Sequence, residues 1–452
     1  MIRIVIATLM SLTLGCDGNH TTAAPDNGAV KPPEATGPIV PQPDTYSSLV
    51  TIDVSKTHQT MQGFGASMRI FSDPHLLGQN GTADNALHLS LTDEDAVLDS
   101  VYKTIGLTRV RATIQSNGTG ATPESVPRRD WVFADGHIDI VKRAKAKGLR
   151  EWWISPITFE PWIGGSNVVA YANWAIGEIR YWKSQGVELA WWSIANEPFP
   201  AGISGEFIRD AVKLVGRQLA VDGSKTKLVI PDEINPINGA TQARIVLSDP
   251  DARQYVGAIA SHLYGTPVSA MADMSALATE YKIPLWMSEF FIVDTSPMAW
   301  AGIVHRLIAG YNVSAVDYMW GFFGDSDQAQ LVAIHQTGNQ FSGVTMTPAS
   351  YATAQYARFV LPGAKRVDAN SSDSTVLASA FVLDGKLTIV ALNEGIIPKT
   401  VRFSMGSSPA SGTMRVVRTS DTEKLAPIGT VVVTNGAFNV DLPAQSITTL
   451  IQ

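Results

Sequence analysis

Two glutamates stand out by what precedes them. Ala190-Trp191-Trp192-Ser193-Ile194 leads into Ala195-Asn196-Glu197-Pro198, and Leu285-Trp286-Met287-Ser288 leads into Glu289-Phe290-Phe291. A carboxylate directly after an apolar, strand-like run is unusual, because leaving it on a buried rim costs desolvation. Two such groups facing one another are the minimum equipment for glycoside hydrolysis, in which one protonates the departing oxygen while the other attacks the anomeric carbon. The structural alternative, that each only caps a following helix, explains one such glutamate more readily than two. Other chemistries have less to stand on. Ser193 and Ser288 precede the glutamates but neither lies in a GxSxG elbow, so a hydrolase triad is not expected. The histidines show no HxxxH or HxH spacing and Cys16 is the single cysteine, so neither a catalytic metal nor a cofactor is expected.

Facing glutamates need a scaffold that brings strand ends together. Short apolar runs at 61–64, 109–114, 151–155, 189–194, 227–230, 258–262, 284–288 and 315–318 alternate with helix-like stretches such as 138–147, 171–184, 206–221 and 297–309. That rhythm predicts a (β/α)8 barrel, whose active site lies at the C-terminal ends of the strands. An open doubly wound sheet shares the rhythm, but no GxGxxG follows a first strand. From Pro362 onward the runs at 376–383, 386–392, 400–404, 413–418, 429–433 and 447–451 are short, β-type and separated by Gly, Asn and Asp turns. An all-β sandwich is expected there, and the alternating Val50 to Val54 stretch should pair with it. The reading is therefore an α/β fold with domains at 46–56 (a strand of the sandwich), 57–361 (the barrel) and 362–452 (the sandwich).

Further site residues follow from the strand ends. His262 and Tyr264 sit two apart at the end of the sixth strand, so alternation turns them to the same side. Trp320, ending the eighth strand, and Trp162, after the third, are platforms on which the apolar face of a sugar could stack. All eleven tryptophans fall between Trp131 and Trp320 and none in the β-rich tail, which suggests that many line a ligand surface, although Trp182 on a helix reads as packing.

The N-terminus reads as an export signal. Arg3 precedes an apolar run from Ile4 to Leu14, too short to span a bilayer, and Gly15-Cys16 follows. Residues 1–15 resemble a lipoprotein signal with acylation at Cys16, although Thr13 stands where such signals usually carry Leu; a plain secretory signal is the alternative. Residues 16–45, with six prolines and no aromatic between 17 and 45, read as a flexible linker. The chain of 452 residues, 45% hydrophobic and 17% charged, has globular composition. Its formal net charge of −7 disfavours nucleic acid as a partner, and contact with a membrane is expected only through the lipid. A monomer is expected.

Gln62-Gly63-Phe64-Gly65-Ala66-Ser67, Thr108-Arg109-Val110-Arg111, Ser193 to Pro198, Trp286 to Glu289 and the YATAQYARFVLPG segment from Tyr351 to Gly363 together resemble glycoside hydrolase family 30, in the large clan of retaining barrel glycosidases. The resemblance runs over residues 47–452. The Asn-Glu-Pro segment is shared across the clan, whereas the QGFG start and the RFVLPG exit are far more specific together. The resemblance makes Glu197 the general acid/base and Glu289 the nucleophile. Apolar neighbours such as Trp191, Trp192 and Phe199 would favour a protonated Glu197. Arg111 and Tyr264 are the family-equivalent groups to keep Glu289 ionised, and Asn196 would donate to the sugar 2-hydroxyl. Ala195 stands where many members have Gln, and Ile157-Thr158-Phe159-Glu160 replaces a Ser/Pro-rich exit; both departures bear on the substrate subsite.

A β-linked polysaccharide is the implied substrate, with xylan the leading choice. β-1,6-Glucan or galactan, a glucosylceramidase-type β-glucosidase, and a carbohydrate-binding protein without turnover are the alternatives. In the resembled xylanases a cation on the loop after the eighth strand reads a glucuronate branch. Residues 321–357 here hold no Lys or Arg, while Asp325 and Asp327 add negative charge. Activity independent of glucuronate is therefore expected.

Overall fold

The computed structural model describes residues 38–73, 89–114, 132–159, 163, 166–292, 296–324, 329–338, 340–405 and 411–452. A long strand, β1 (Ser48–Thr60), leads into eight parallel strands that close into a barrel: β2 (Gly63–Met68), β3 (Arg109–Ile114), β4 (Glu151–Pro156), β5 (Trp191–Ser193), β6 (Lys227–Glu233), β7 (Val256–His262), β8 (Leu285–Glu289) and β9 (Val313–Tyr318). Alternation sorts their side chains. On β3, Val110, Ala112 and Ile114 join the core beneath the surrounding helices, while Arg109 lies over the Trp286 ring and Arg111 over Trp153. The helices bury one stripe each. Gly205–Val221 turns Phe207, Ile208, Ala211, Val212, Val215 and Leu219 inward, and the Ser204 side chain caps it by accepting from the Phe207 amide.

The tryptophan expectation is overturned here. Trp153, Trp191 and Trp286 interlock inside the barrel, with ring centroids 5.5 and 4.7 Å apart, and Trp174, Trp182, Trp192 and Trp300 are buried too. A barrel interior needs bulky side chains to fill it, and this chain fills it with indoles where most use Val, Ile and Leu. A β-sandwich core between two flat faces has no such demand.

The glycines of the QGFG segment have a steric reason. A Cβ on Gly65 would stand 2.2 Å from an Asp317 carboxylate oxygen and 2.7 Å from Arg109 Cβ. Gly65 therefore makes room for a buried ion pair in which Arg109 Nε lies 3.3 Å from Asp317 Oδ1, with Glu151 as a second partner. Burial raises the Asp317 carboxyl, against the pull of Arg109, so the pair holds a charge the interior resists. Arg109→Met should lower stability by about 3–5 kcal/mol, the cost of stranding a buried charge. Adding Asp317→Asn should recover part of the loss in urea unfolding; purely additive losses would show that the two residues are uncoupled.

The chain then builds a small sheet from β10 (Trp320–Gly324), β11 (Gln330–Thr337) and β12 (Gln340–Met346), a feature the sequence reading did not expect. The sandwich follows: β13 (Lys365–Ser371), β14 (Val376–Leu383), β15 (Lys386–Asn393), β16 (Lys399–Ser404), β17 (Gly412–Thr419), β18 (Ala426–Val433), β19 (Ala437–Leu442) and β20 (Ser446–Ile451). Their order with β1 is β18-β17-β20-β15-β14-β13-β1-β16-β19. The two edges meet at the Asn435-Gly436 turn, where both residues have positive φ, so the sheet is doubled over. Val401, Phe403 and Val440 from one side and Val416, Val431 and Leu450 from the other share one core. β1 runs antiparallel to β13 and parallel to β16. Met61 donates to Ala364 and accepts from Gly363, both at 2.8 Å. The QGFG entry and the RFVLPG exit thus clasp one another where barrel and sandwich join.

Candidate active site

At the mouth of the barrel, small departures from regular pairing aim the polar side chains. In β8, Leu285 and Met287 face the helices and Trp286 faces inward, so strict alternation would send Glu289 outward. The pairing with β7 instead skips Ser288 and sets Glu289 opposite His262. In β6 a similar irregularity frees Asp232, which sits at φ +61°. Glu197 also lies in the left-handed region, at φ +45°, held by a bond from its amide to the Asp232 carbonyl at 2.9 Å. Neither glutamate caps a helix: those that follow are capped by Ser204 and Ser296.

Glu289 is held at both oxygens. Arg111 Nη1 donates to Oε2 at 2.7 Å and the Tyr264 hydroxyl donates to Oε1 at 2.8 Å. Two such donors, one cationic, fix both oxygens of the group placed to act as nucleophile. Arg111 is fully buried and also donates to Ser67, Ser155, Asp232 and Asn196 Oδ1. Burial opposes its charge, but Asp232 and Glu289 hold the guanidinium protonated. Burial, then the Glu289 charge, push the Tyr264 phenol well above its ordinary value, so it stays a donor. Because Arg111 occupies the Asn196 carbonyl, the amide NH2 of Asn196 is left to donate.

Glu197 has a partner the sequence reading did not foresee. His262 Nδ1 lies 2.9 Å from Glu197 Oε1, and its Nε2 lies 3.4 Å from Asp232 Oδ1. Burial works against the imidazolium, but Glu289, Asp232 and Glu197 hold it up to about 9. The Asp232 carboxyl is buried, yet Arg111 and His262 keep it well below the usual carboxylate range. The three apolar neighbours expected around Glu197 are engaged elsewhere or exposed. Trp191 packs on Trp286 and Trp192 meets Trp174 edge-on, while Phe199 is 63% exposed.

The raised His262 has a consequence for stability. A histidine whose folded value exceeds its ordinary value of about 6.5 stabilises fully below that pH, and the contribution disappears as pH rises through about 9. Wild type should thus exceed His262→Gln in thermal midpoint by several degrees near neutral pH, and the gap should close by about pH 10. A gap that stays constant across that range would show that the imidazolium is not the stabilising form.

The ligand atoms of Glu197, His262 and Glu289 all lie within 4.8 Å of one another. They form the one such group among the described residues, and the Arg111 guanidinium bonded to Glu289 already supplies the positive charge that a metal would bring. The same figure brings a carboxylate oxygen of Glu197 within 4.8 Å of one of Glu289. Retaining glycosidases hold their carboxyl groups about 5–5.5 Å apart, and inverting ones about 6.5–9.5 Å apart.

The model of the glycosyl hydrolase family 30 β-sandwich domain matches residues 363–450. The glucuronoxylanase XynC of Bacillus subtilis (strain 168) is 26% identical over 293 residues, 62% of this chain and 65% of that protein. A solved family 30 subfamily 8 xylanase from Clostridium acetobutylicum superposes with a TM-score of 0.70 at 26% identity, over 89% of this chain and 98% of that one. Residues 363–450 thus match the family 30 β-sandwich domain, and the chain is similar to family 30 enzymes. A putative glucosylceramidase 2 of Caenorhabditis elegans is 25% identical over 416 residues, 76% of each chain. The match to the curated xylanase spans just under two thirds of that protein's length.

The structure brings together Glu197, Glu289, Arg111, Asn196, His262 and Tyr264. Trp320 is half-buried on β10; Arg69 covers its ring at 4.9 Å and Phe323 stacks on it at 5.5 Å. Trp162 and Cys16 lie outside the described residues. Missed from sequence were Asp232 and Glu233, although they follow the apolar Leu228 to Pro231 run as Glu197 and Glu289 follow theirs. Phe291, two residues beyond Glu289, is 36% exposed beside Tyr264 and was missed as a rim aromatic.

Proposed function

We propose that the protein is a retaining β-glycosidase acting on a β-linked polysaccharide by double displacement, with xylan as its leading substrate and no dependence on glucuronate branches. The carrying observation is the separation of the two carboxylates, whose oxygens approach within 4.8 Å. That gap leaves room for direct attack by Glu289 but not for a water held between Glu289 and the anomeric carbon. In the first step a Glu289 oxygen bonds to the anomeric carbon, the glycosidic bond breaks, and the departing oxygen takes the proton of Glu197. In the second, Glu197 takes a proton from water, the water oxygen bonds to the anomeric carbon, and Glu289 leaves as a carboxylate. His262 engages Oε1 of Glu197, which leaves Oε2 to carry the proton. The NH2 of Asn196 donates to the sugar 2-hydroxyl.

The names of the relatives support xylan. Independence from glucuronate rests on the rim: no Lys or Arg occurs on β10, β11 or β12. Arg69, the cation beside Trp320, is engaged by Asp73 at 2.5 Å and by the Trp320 and Phe323 rings. Export with acylation of Cys16 is part of the same reading. No helix among the described residues is long and apolar enough to cross a membrane, so the proposed tether is the lipid. Intact-mass analysis of the mature N-terminus tests it, and an unmodified Cys16 refutes it. The substrate is tested on unbranched xylan, glucuronoxylan, β-1,6-glucan and β-1,6-galactan with product profiling. Comparable rates on the two xylans are expected; cleavage confined to glucuronoxylan at a fixed distance from the branch refutes the reading of the rim.

A further inference from the structure

Glu233 is a third carboxyl at the mouth of the barrel, and the two displacement steps do not use it. It ends β6 and is fully buried. Its Oε1 accepts from the Phe199 amide at 2.7 Å and its Oε2 from the Ile234 amide at 3.0 Å. Among the described residues it has no salt bridge to a Lys or Arg. A buried carboxyl without a cation is costly to keep, and its position suggests what the cost sustains.

Phe199 lies two residues beyond Glu197, in the turn that carries the acid/base. Glu197 itself sits at φ +45°, a conformation that costs a non-glycine residue roughly 1–3 kcal/mol and persists only when its surroundings enforce it. The end of β6 grips this turn twice, through the Asp232 carbonyl on the Glu197 amide at 2.9 Å and through the Glu233 carboxyl on the Phe199 amide at 2.7 Å. The first grip is backbone and does not use the Asp232 side chain. The second belongs to the Glu233 side chain. We propose that Glu233 is a positioning residue that holds the Glu197 turn in the geometry for proton transfer to the leaving group. The inference rests on the glycosidase reading above.

The electrostatics agree with a group kept for its place in the site. Burial, with the Glu197 charge adding to it, pushes the Glu233 carboxyl up to about 7, against its two backbone donors and His262. Asp232, directly before it, is occupied by Arg111 and Ser155, so it cannot take over the bond to Phe199.

Two variants separate positioning from general support of the fold. Glu233→Met keeps the volume and removes both acceptors. Glu233→Gln keeps an amide oxygen for the Phe199 N–H. Each is assayed on an unactivated oligosaccharide, whose departing hydroxyl needs a proton, and on a dinitrophenyl glycoside of the same sugar, whose leaving group does not. For Glu233→Met, kcat/KM on the oligosaccharide should fall about 100-fold, the scale of a misplaced catalytic group, while the dinitrophenyl substrate changes by only a few fold. Glu233→Gln should recover most of the oligosaccharide activity. Equal losses on both substrates, or a Gln variant as impaired as Met, would overturn the proposal. If Glu233→Met does not fold, Glu233→Gln decides alone: a loss shared by both substrates refutes positioning, and near-wild-type rates on both support it. A wild type that turns over neither glycoside removes the glycosidase reading and this inference with it. A wild type active on both, with non-selective variants, removes this inference only.

Discussion

Replacing Glu289 by alanine should lower kcat by about 10⁵–10⁶-fold, the scale of losing a covalent nucleophile, and azide should restore turnover. The side chain is fixed by Arg111 on one oxygen and Tyr264 on the other. Alanine removes the attacking atom but leaves both donors in place, facing a space the size of a carboxylate. Azide is a small anion that can occupy that space beside the guanidinium and attack the anomeric carbon itself. One displacement then takes the place of two, so the product from a β-linked substrate is the α-glycosyl azide. Its anomeric configuration is read by NMR. No rescue by azide, or a variant that keeps a substantial share of the wild-type rate, would remove Glu289 from the nucleophile's place.

That expectation could be framed from sequence because strand identity was legible and strand endings partly so. Alternation along Arg109–Ile114 and Ala258–His262 marks inward and outward faces without ambiguity, and it turns Arg111 and His262 into the barrel. What alternation cannot show is where it stops. Ser288 and Glu289 both lie at the end of an apolar run, and only the irregular pairing with β7 sets Glu289 opposite His262. Asp232 and Glu233 precede Asn235-Pro236, the cap and first residue of the next helix, so residue type alone does not separate them from the acidic composition common near helix starts. Their packing reveals otherwise, because Asp232 meets Arg111 and Glu233 grips the Phe199 amide. The tryptophans misled because large aromatic area serves a barrel interior as readily as a sugar. The environment of Glu197 was misjudged for a related reason. Sequence neighbours Trp191 and Trp192 are strand residues bound for the interior and the helix layer, whereas its true neighbour, His262, is 65 positions away.

Replacing Glu197 by alanine should produce a different signature, one that depends on the leaving group. For a natural polysaccharide, kcat/KM should fall about 10²–10⁴-fold, the usual contribution of a positioned general acid. For a dinitrophenyl glycoside it should change little, because that leaving group departs without a proton and Glu289, Arg111 and Tyr264 remain in place. Its kcat should nonetheless drop. The second step has lost the base that activates water, so the glycosyl-enzyme accumulates and the apparent KM falls with kcat. Azide needs no base, and it can resolve the intermediate from the face that water would have used. The product is then the β-glycosyl azide, formed after two displacements, where Glu289→Ala gives the α anomer. The two variants thus assign the two roles by opposite configurations of one product. If Glu197→Ala gave the α-azide and lost activated and natural substrates alike, Glu197 would be the nucleophile. The bonds from Arg111 and Tyr264 to Glu289 would then need another explanation. The geometry argues against that outcome, because His262 engages one oxygen of Glu197 and leaves the other for a proton, whereas donors occupy both oxygens of Glu289.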